Sequence, residues 1–105
     1  MQRDRERVER LSKALGPELL TDLVEEISAI SQNVARPPVV LGVVGKRASD
    51  AGIPPEDLLI ATRELSHDVV KRGTEEHRRL EYYWHQAVRA LISAYYSGHP
   101  DAASR

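Results

Sequence analysis

The stretch "GPELLTDLVEEISAISQNVARPP", residues 16–38, contains the clearest helical pattern in the sequence. Its apolar residues recur every three or four positions, which is the spacing of one face of an α-helix. The members of this face are Leu20, Leu23, Val24, Ile27, Ile30, Ser31 and Val34. Pro17 suits the first position of a helix, and Pro37 and Pro38 stop it. The stretch therefore predicts an amphipathic helix that is central to the core.

The segment before this helix, residues 1–15, alternates basic and acidic side chains around a thin apolar stripe. The stripe consists of Val8, Leu11 and Leu15. Opposite charges at helical spacing support an exposed helix. We therefore expect a charged N-terminal helix or arm that is solvated. At the other end, residues 97–105 have the small and polar composition of a flexible tail.

The valine-rich segment 39–45 is ambiguous between a strand and a helix. Its β-branched residues favour a strand, whereas its length and the lack of a second strand favour a short helix. We predict the helix. With the helical patterns on either side, this gives an all-α fold, a small bundle of four to five helices.

A helical pattern starts at the prolines before Glu56 and reaches Gly73, where two interpretations are open. Thr74 suits an N-cap and two acids follow it, so that one helix can end at Gly73 and another begin. In the alternative, one long C-terminal helix continues through Gly73. Around the axis of such a helix, Leu58 and Leu80 would be only about 40° apart, so its apolar residues would stay on one face. A helix of that length would imply a dimer.

Composition limits the classes of function. The chain has 105 residues, a formal net charge of −1 and no cysteine. This length fits one domain, 1–105, and the charge lacks the basic signature of a nucleic-acid-binding protein. The absence of cysteine excludes disulfides, cysteine-ligated metals and thiol catalysis. No apolar run has the length of a signal segment or a membrane span, so we expect a cytoplasmic protein with no membrane association.

The last helical stretch, residues 75–96, contains all the aromatic residues of the chain. Its apolar surface is wider than one side of a small bundle covers, because aromatic and aliphatic residues extend to both sides of the main stripe. We therefore expect a homodimer, or a protein partner, at this surface. The predicted interface residues are Tyr83, Trp84, Leu91, Ile92, Tyr95 and Tyr96. No nucleophile stands in an evident relay, which favours a non-enzymatic interaction or regulatory protein.

Three residues of the same stretch, His77, Glu81 and His85, follow one another at intervals of four. This spacing brings imidazole and carboxylate groups to one helix edge, where they can bind a metal ion. No second helix offers an obvious set of further ligands, so we expect no bound cofactor.

The segment "RELSHDVV", residues 63–70, resembles the phosphoacceptor box of sensor histidine kinases at His67 and Asp68. This resemblance implies a solvent-facing histidine that accepts a phosphoryl group. A histidine phosphotransfer protein or a metal-site protein that uses His67 or His77 is therefore the second alternative function.

Residues 44–63 resemble a helix-turn-helix, with Ala48 and Gly52 near the usual small and turn positions. The resemblance implies a DNA-binding transcriptional regulator, which is the leading alternative. Glu56 and Asp57 stand where the recognition helix should begin, and phosphates repel carboxylates. The candidate nucleic-acid contacts are Arg36, Lys46 and Arg47.

Overall fold

The computed structural model describes residues 2–34 and 39–97, with side chains from residue 5 onward. It contains the helices α1 (Gln2–Ser31), α2 (Val39–Asp50), α3 (Pro55–Val69) and α4 (Glu75–Ser97). No strand occurs in the described ranges, so the predicted all-α fold is confirmed. Within the same ranges, none of the helices combines the length and the apolar character needed to cross a bilayer. Arg36 and most of the predicted tail, residues 98–105, lie outside the described residues.

Helix α1 is kinked at Gly16, whose φ of 82° and ψ of 165° interrupt the helical backbone. A positive φ is accessible to glycine because it has no Cβ, and Pro17 then supplies a residue suited to a first helical turn. The kink separates residues 2–15, the N-terminal half of α1, from residues 17–31, the C-terminal half. Counted by straight segments, the bundle therefore has five helices, within the predicted range.

The N-terminal half of α1 is not the solvated arm that its charge pattern predicted. Its apolar stripe is buried against the rest of the molecule, at Val8, Leu11 and Leu15. Arg7 donates a hydrogen bond to Asp57 at 2.9 Å, and Arg5 donates one to Asp68 at 2.9 Å. The expectation was wrong because α3 provides both an apolar face for the stripe and acidic partners for the arginines.

Helices α3 and α4 are separate, so the single long C-terminal helix is wrong. Helix α3 ends at Val69, the backbone is already extended at Val70, and Gly73 has a φ of 83° in the segment that leads to α4. The N–H of His77 donates a hydrogen bond to Thr74 Oγ1 at 3.2 Å, as expected of an N-cap. The predicted helix at 39–45 is confirmed, since these residues form the first part of α2.

The helices pack mainly as two pairs, α1 with α3 and α2 with α4. Helix α1 also contacts α2 and α4, whereas α3 and α4 touch each other only sparsely. Residues from all four helices are fully buried between them, including Leu11, Leu23, Val44, Leu58 and Leu91. The C-terminal half of α1 contributes Leu23 and Ile27 to this core, as its pattern predicted.

Candidate functional site

An open groove of about 570 Å³ lies between the end of α1, the start of α2 and the middle of α4. Its apolar lining consists of Ile30, Val34, Leu41, Ala87 and Ala90. Its polar lining consists of Glu26, Asn33, Tyr83, Gln86 and Arg89. A concave apolar surface with a few polar groups is the usual form of a binding site.

Glu26 is the unusual residue of this groove, because only 3% of its surface is exposed. Within residues 5–34 and 39–97, no hydrogen bond or ion pair reaches its carboxylate. His77 Nε2, and not a Glu26 oxygen, is the buried side-chain atom that lacks a partner among the described residues, so the Glu26 carboxylate still reaches the solvent of the groove. A cationic group that entered the groove could pair with it. Sequence reasoning missed Glu26, although its position three residues after Leu23 and four before Ile30 places it on the apolar face.

The predicted interface residues of α4 divide into two groups. Leu91 and Tyr95 are buried in the core of the same chain, so their side chains are not available to a partner and we no longer include them in the predicted interface. The hydroxyl of Tyr95 donates a hydrogen bond to the carbonyl oxygen of Ile53. Trp84 is half-buried and lies under Arg63, whose guanidinium carbon is 5.4 Å from the ring centroid. The predicted residues that keep accessible surface beside the groove or near the end of α4 are Tyr83, Ile92 and Tyr96.

Further apolar surface is exposed close to the groove. Val34 is 51% exposed and Val39 is 65% exposed. Val43, next to Gly42 on α2, is exposed as well, and a Cβ built at Gly42 would lie 4.0 Å from Ala94 of α4. Val39 and Val43 lie on α2, which packs against α4, the helix that carries Tyr96.

A second cluster lies between α3 and α4, which bring together His67, His77 and Glu81. One ligand atom from each of these side chains lies within 4.8 Å of the other two. The distance from His77 Nε2 to Glu81 Oε1 is 3.5 Å, and the two imidazole centroids are 5.8 Å apart. His67 thus takes the place of His85, which is exposed on α4 outside the cluster. The sequence offered no obvious set of further ligands on a second helix, whereas the fold brings one candidate ligand, His67 of α3, to the cluster.

Two arginines surround this cluster. Arg63 Nη2 donates to both carboxylate oxygens of Glu81, at 2.7 and 2.8 Å, and these hydrogen bonds hold the pKa of Glu81 below its usual value. Arg72 Nη2 lies 3.0 Å from Nδ1 of His67. Burial, followed by the positive charge of Arg72, lowers the pKa of His67. His77 Nε2 is buried and has no hydrogen-bond partner among the described residues.

The phosphoacceptor resemblance is weakened by this environment. It implies a solvent-facing histidine, whereas His67 is partly buried and contacts Arg72 and the ring of His77. An incoming phosphoryl donor would have to displace these neighbours.

The segment that resembles a helix-turn-helix covers the end of α2, a turn in which Gly52 has a φ of 75°, and the start of α3. The side chains give less support to DNA binding. Asp57, near the start of α3, is paired with Arg7 and Arg10 of α1. The exposed candidate contacts Lys46 and Arg47 lie on α2, not on the helix that would read bases, and Arg36 lies outside the described residues.

Comparison of the chain with protein-family models, with curated proteins and with solved structures finds no match.

Proposed function

We propose that the chain is a non-enzymatic interaction protein that forms a homodimer through the groove and the adjoining surfaces of α2 and α4. The observation that carries this proposal is the groove itself, in which three helices combine apolar residues with the carboxylate of Glu26, which has no partner among the described residues. Exposed apolar surface in a groove marks an interaction site, because its burial releases water.

A second copy of the chain is the occupant whose charges fit the groove. Arg89 is exposed and lines the same groove as Glu26, but the two side chains form no ion pair within one chain. In a two-fold interface, a contact between two residues is made twice, with the roles of the protomers exchanged. Arg89 of each protomer can therefore pair with Glu26 of the other. Such an interface also covers the exposed Val34 and Val39.

The arrangement of hydroxyl groups supports a non-enzymatic function. The hydroxyls of Thr62 and Ser66 are buried and donate to backbone carbonyls of α3 at 2.7 and 2.8 Å. Those of Ser12, Thr21 and Ser31 donate to carbonyls of α1 in the same way. A nucleophilic hydroxyl would instead need an adjacent general base.

Light scattering over a micromolar concentration series tests the proposal. The wild-type chain should show twice the mass of 11.8 kDa. The double variant Tyr83→Glu plus Tyr96→Glu places charges in the groove and near the end of α4, and should shift the mass to that of a monomer. Ile60→Glu is the matched control, because Ile60 is an exposed apolar residue of α3 outside the groove, and it should leave the dimer intact.

Two results would count against the proposal. A wild-type chain that is monomeric at high micromolar concentration would refute the homodimer. A dimer that persists in the double variant, or is lost equally in Ile60→Glu, would refute this groove as its interface.

A further inference from the structure

We propose that His67, His77 and Glu81 form a binding site for a divalent transition-metal ion of the zinc class, with one position left to water. Imidazole nitrogen and carboxylate oxygen are ligands that Zn²⁺ accepts, and two histidines with one glutamate form a known type of three-ligand site. The site is separate from the dimer groove, whose lining includes none of these three residues.

The distances between the ligand atoms support this assignment. Tetrahedral Zn²⁺ with bonds of about 2.0–2.1 Å places its ligand atoms about 3.3 Å apart. The distance of 3.5 Å between His77 Nε2 and Glu81 Oε1 is close to this value. The ligand atoms all lie within 4.8 Å of one another, so a shift of about 1.5 Å or less would bring them to tetrahedral spacing.

The surroundings of the cluster leave room for an ion. A cavity of about 10 Å³ beside the cluster is lined by His67 and Glu81, together with Trp84 and Arg63, but not by His77, so an ion held by all three side chains would lie at its edge. This volume is close to the minimum for one water molecule, and a bare divalent ion is smaller. An ion that enters with a bound water would require a small displacement of one lining side chain.

His77 provides an independent observation. Its Nε2 atom is buried, faces Glu81 across 3.5 Å and has no hydrogen-bond partner among the described residues. A buried polar atom without a partner costs free energy, and such atoms are rare in folded proteins. A metal ion between His77 and Glu81 would provide the missing partner.

The two arginines affect metal binding differently. Arginine only donates hydrogen bonds, so the contact of Arg72 with His67 uses the single lone pair of the neutral imidazole. A metal ion needs that lone pair, and therefore competes with Arg72 whichever ring nitrogen it uses. Arg63 need not leave, because a carboxylate such as Glu81 has further acceptor positions.

Metal binding would connect the two helix pairs of the bundle. His67 belongs to α3, whereas His77 and Glu81 belong to α4, and these two helices touch only sparsely. An ion that binds the folded chain and not the unfolded chain stabilises the fold by mass action. Release of Arg72 from His67 would free the segment between α3 and α4 at the same time.

Isothermal titration calorimetry of the metal-free full chain with ZnCl₂ tests the site. We expect one Zn²⁺ per chain and a rise in melting temperature, with no comparable effect of Mg²⁺, which prefers oxygen ligands. His67→Ala and His77→Ala should each weaken binding by at least about tenfold. His85→Ala is the matched control on α4 and should bind as the wild type does.

Two further variants keep the test decisive if an alanine variant is unstable. Glu81→Gln removes the anionic ligand with little change in shape, and should weaken Zn²⁺ binding without unfolding the chain. Arg72→Gln removes the competitor, and should tighten binding by about fivefold, the value of one hydrogen bond. The groove variant Tyr83→Glu plus Tyr96→Glu should bind Zn²⁺ normally, which separates this proposal from dimerisation.

The proposal is overturned if the wild-type chain binds no Zn²⁺ at a ratio of one per chain. It is also overturned if His67→Ala binds as tightly as the wild type, or if His85→Ala loses as much affinity as His67→Ala.

Discussion

The imidazole of His67 lies in surroundings that disfavour its protonated form. Burial is the largest cause of its lowered pKa, and the positive charges of Arg72 and Arg63 and the ring of His77 add to it, while Glu64 opposes them. In the unfolded chain the pKa returns to about 6.5. Between the pKa of His67 in the folded chain and its pKa in the unfolded chain, the unfolded chain binds more protons. The contribution of neutral His67 to stability is therefore complete above about pH 6.5, and it is lost as the pH falls toward the pKa of the folded chain.

His67→Gln should therefore reduce the dependence of stability on pH. In urea melts with EDTA present, the wild type should lose more stability than His67→Gln between about pH 8 and about pH 5.5. An identical pH dependence in the wild type and His67→Gln would show that the environment of His67 does not perturb its ionisation.

Tyr95 connects the end of α4 to the turn between α2 and α3. Its buried hydroxyl donates a hydrogen bond to the carbonyl of Ile53, and burial raises the pKa of Tyr95. Tyr95→Phe leaves that carbonyl without a partner, so it should reduce the free energy of unfolding by about 1–3 kcal/mol in urea melts. Tyr82→Phe, at the most exposed tyrosine, should change it by less than about 0.5 kcal/mol. Equal effects of the two substitutions would refute the role of the Tyr95 hydroxyl.

At the scale of helices, the contact of α2 with α4 depends on a glycine. A Cβ at Gly45 would overlap the backbone carbonyl oxygen of Leu91, so the two helix backbones approach more closely than any other residue would permit. At Gly42, by contrast, the nearest atom to a Cβ is the side chain of Ala94 at 4.0 Å, an ordinary contact. The close packing of α2 against α4 therefore requires glycine at position 45 but not at position 42.

Gly45→Ala should destabilise the fold by about 1–3 kcal/mol, since backbone atoms must move to make room. Gly42→Ala should leave stability unchanged or raise it by up to about 1 kcal/mol, because alanine favours a helix over glycine. Thermal or urea melts of both variants measure this difference. A Gly45→Ala variant as stable as Gly42→Ala would show that the helices do not cross at Gly45.

Two helix starts could be predicted because their causes are local, whereas the end of α3 falls at Val69, before the expected Gly73. Gly16 with Pro17, and Gly73 with Thr74, carry their conformational preferences in adjacent residues. The burial of Val8, Leu11 and Leu15 could not be predicted in the same way, because it depends on α3, more than forty residues further along the chain. The same limit applies to the histidine cluster. The spacing of His77 and Glu81 on one helix is visible in the sequence, but the approach of His67 depends on how α3 and α4 pack.

At the scale of the whole molecule, the sequence predicted a wide apolar surface on α4, but not how much of it the chain itself covers. Helix α2 covers Leu91 and Tyr95 because Gly45 permits a close approach. The surface left over lies further around the bundle, in the groove that contains Tyr83 and Glu26. The sequence places Glu26 on the apolar face of α1, but the groove in which its carboxylate lies depends on three helices meeting and could be found only in the folded chain.

The proposed pairing of Glu26 with Arg89 across the proposed dimer can be tested by exchanging the charges. Glu26→Lys leaves two basic residues at each contact, and Arg89→Glu leaves two acidic ones, so each variant alone should dissociate to a monomer in light scattering. A mixture of the two variants should form a heterodimer, because both contacts then join a base to an acid. Circular dichroism checks that each variant is folded.

If Glu26→Lys does not fold, a second variant replaces it. Glu26→Gln combined with Arg89→Glu removes the repulsion between the two acidic residues, and should restore the dimers that Arg89→Glu alone cannot form. A mixture that stays monomeric, or an Arg89→Glu variant that still dimerises, would show that this ion pair does not hold the two copies together.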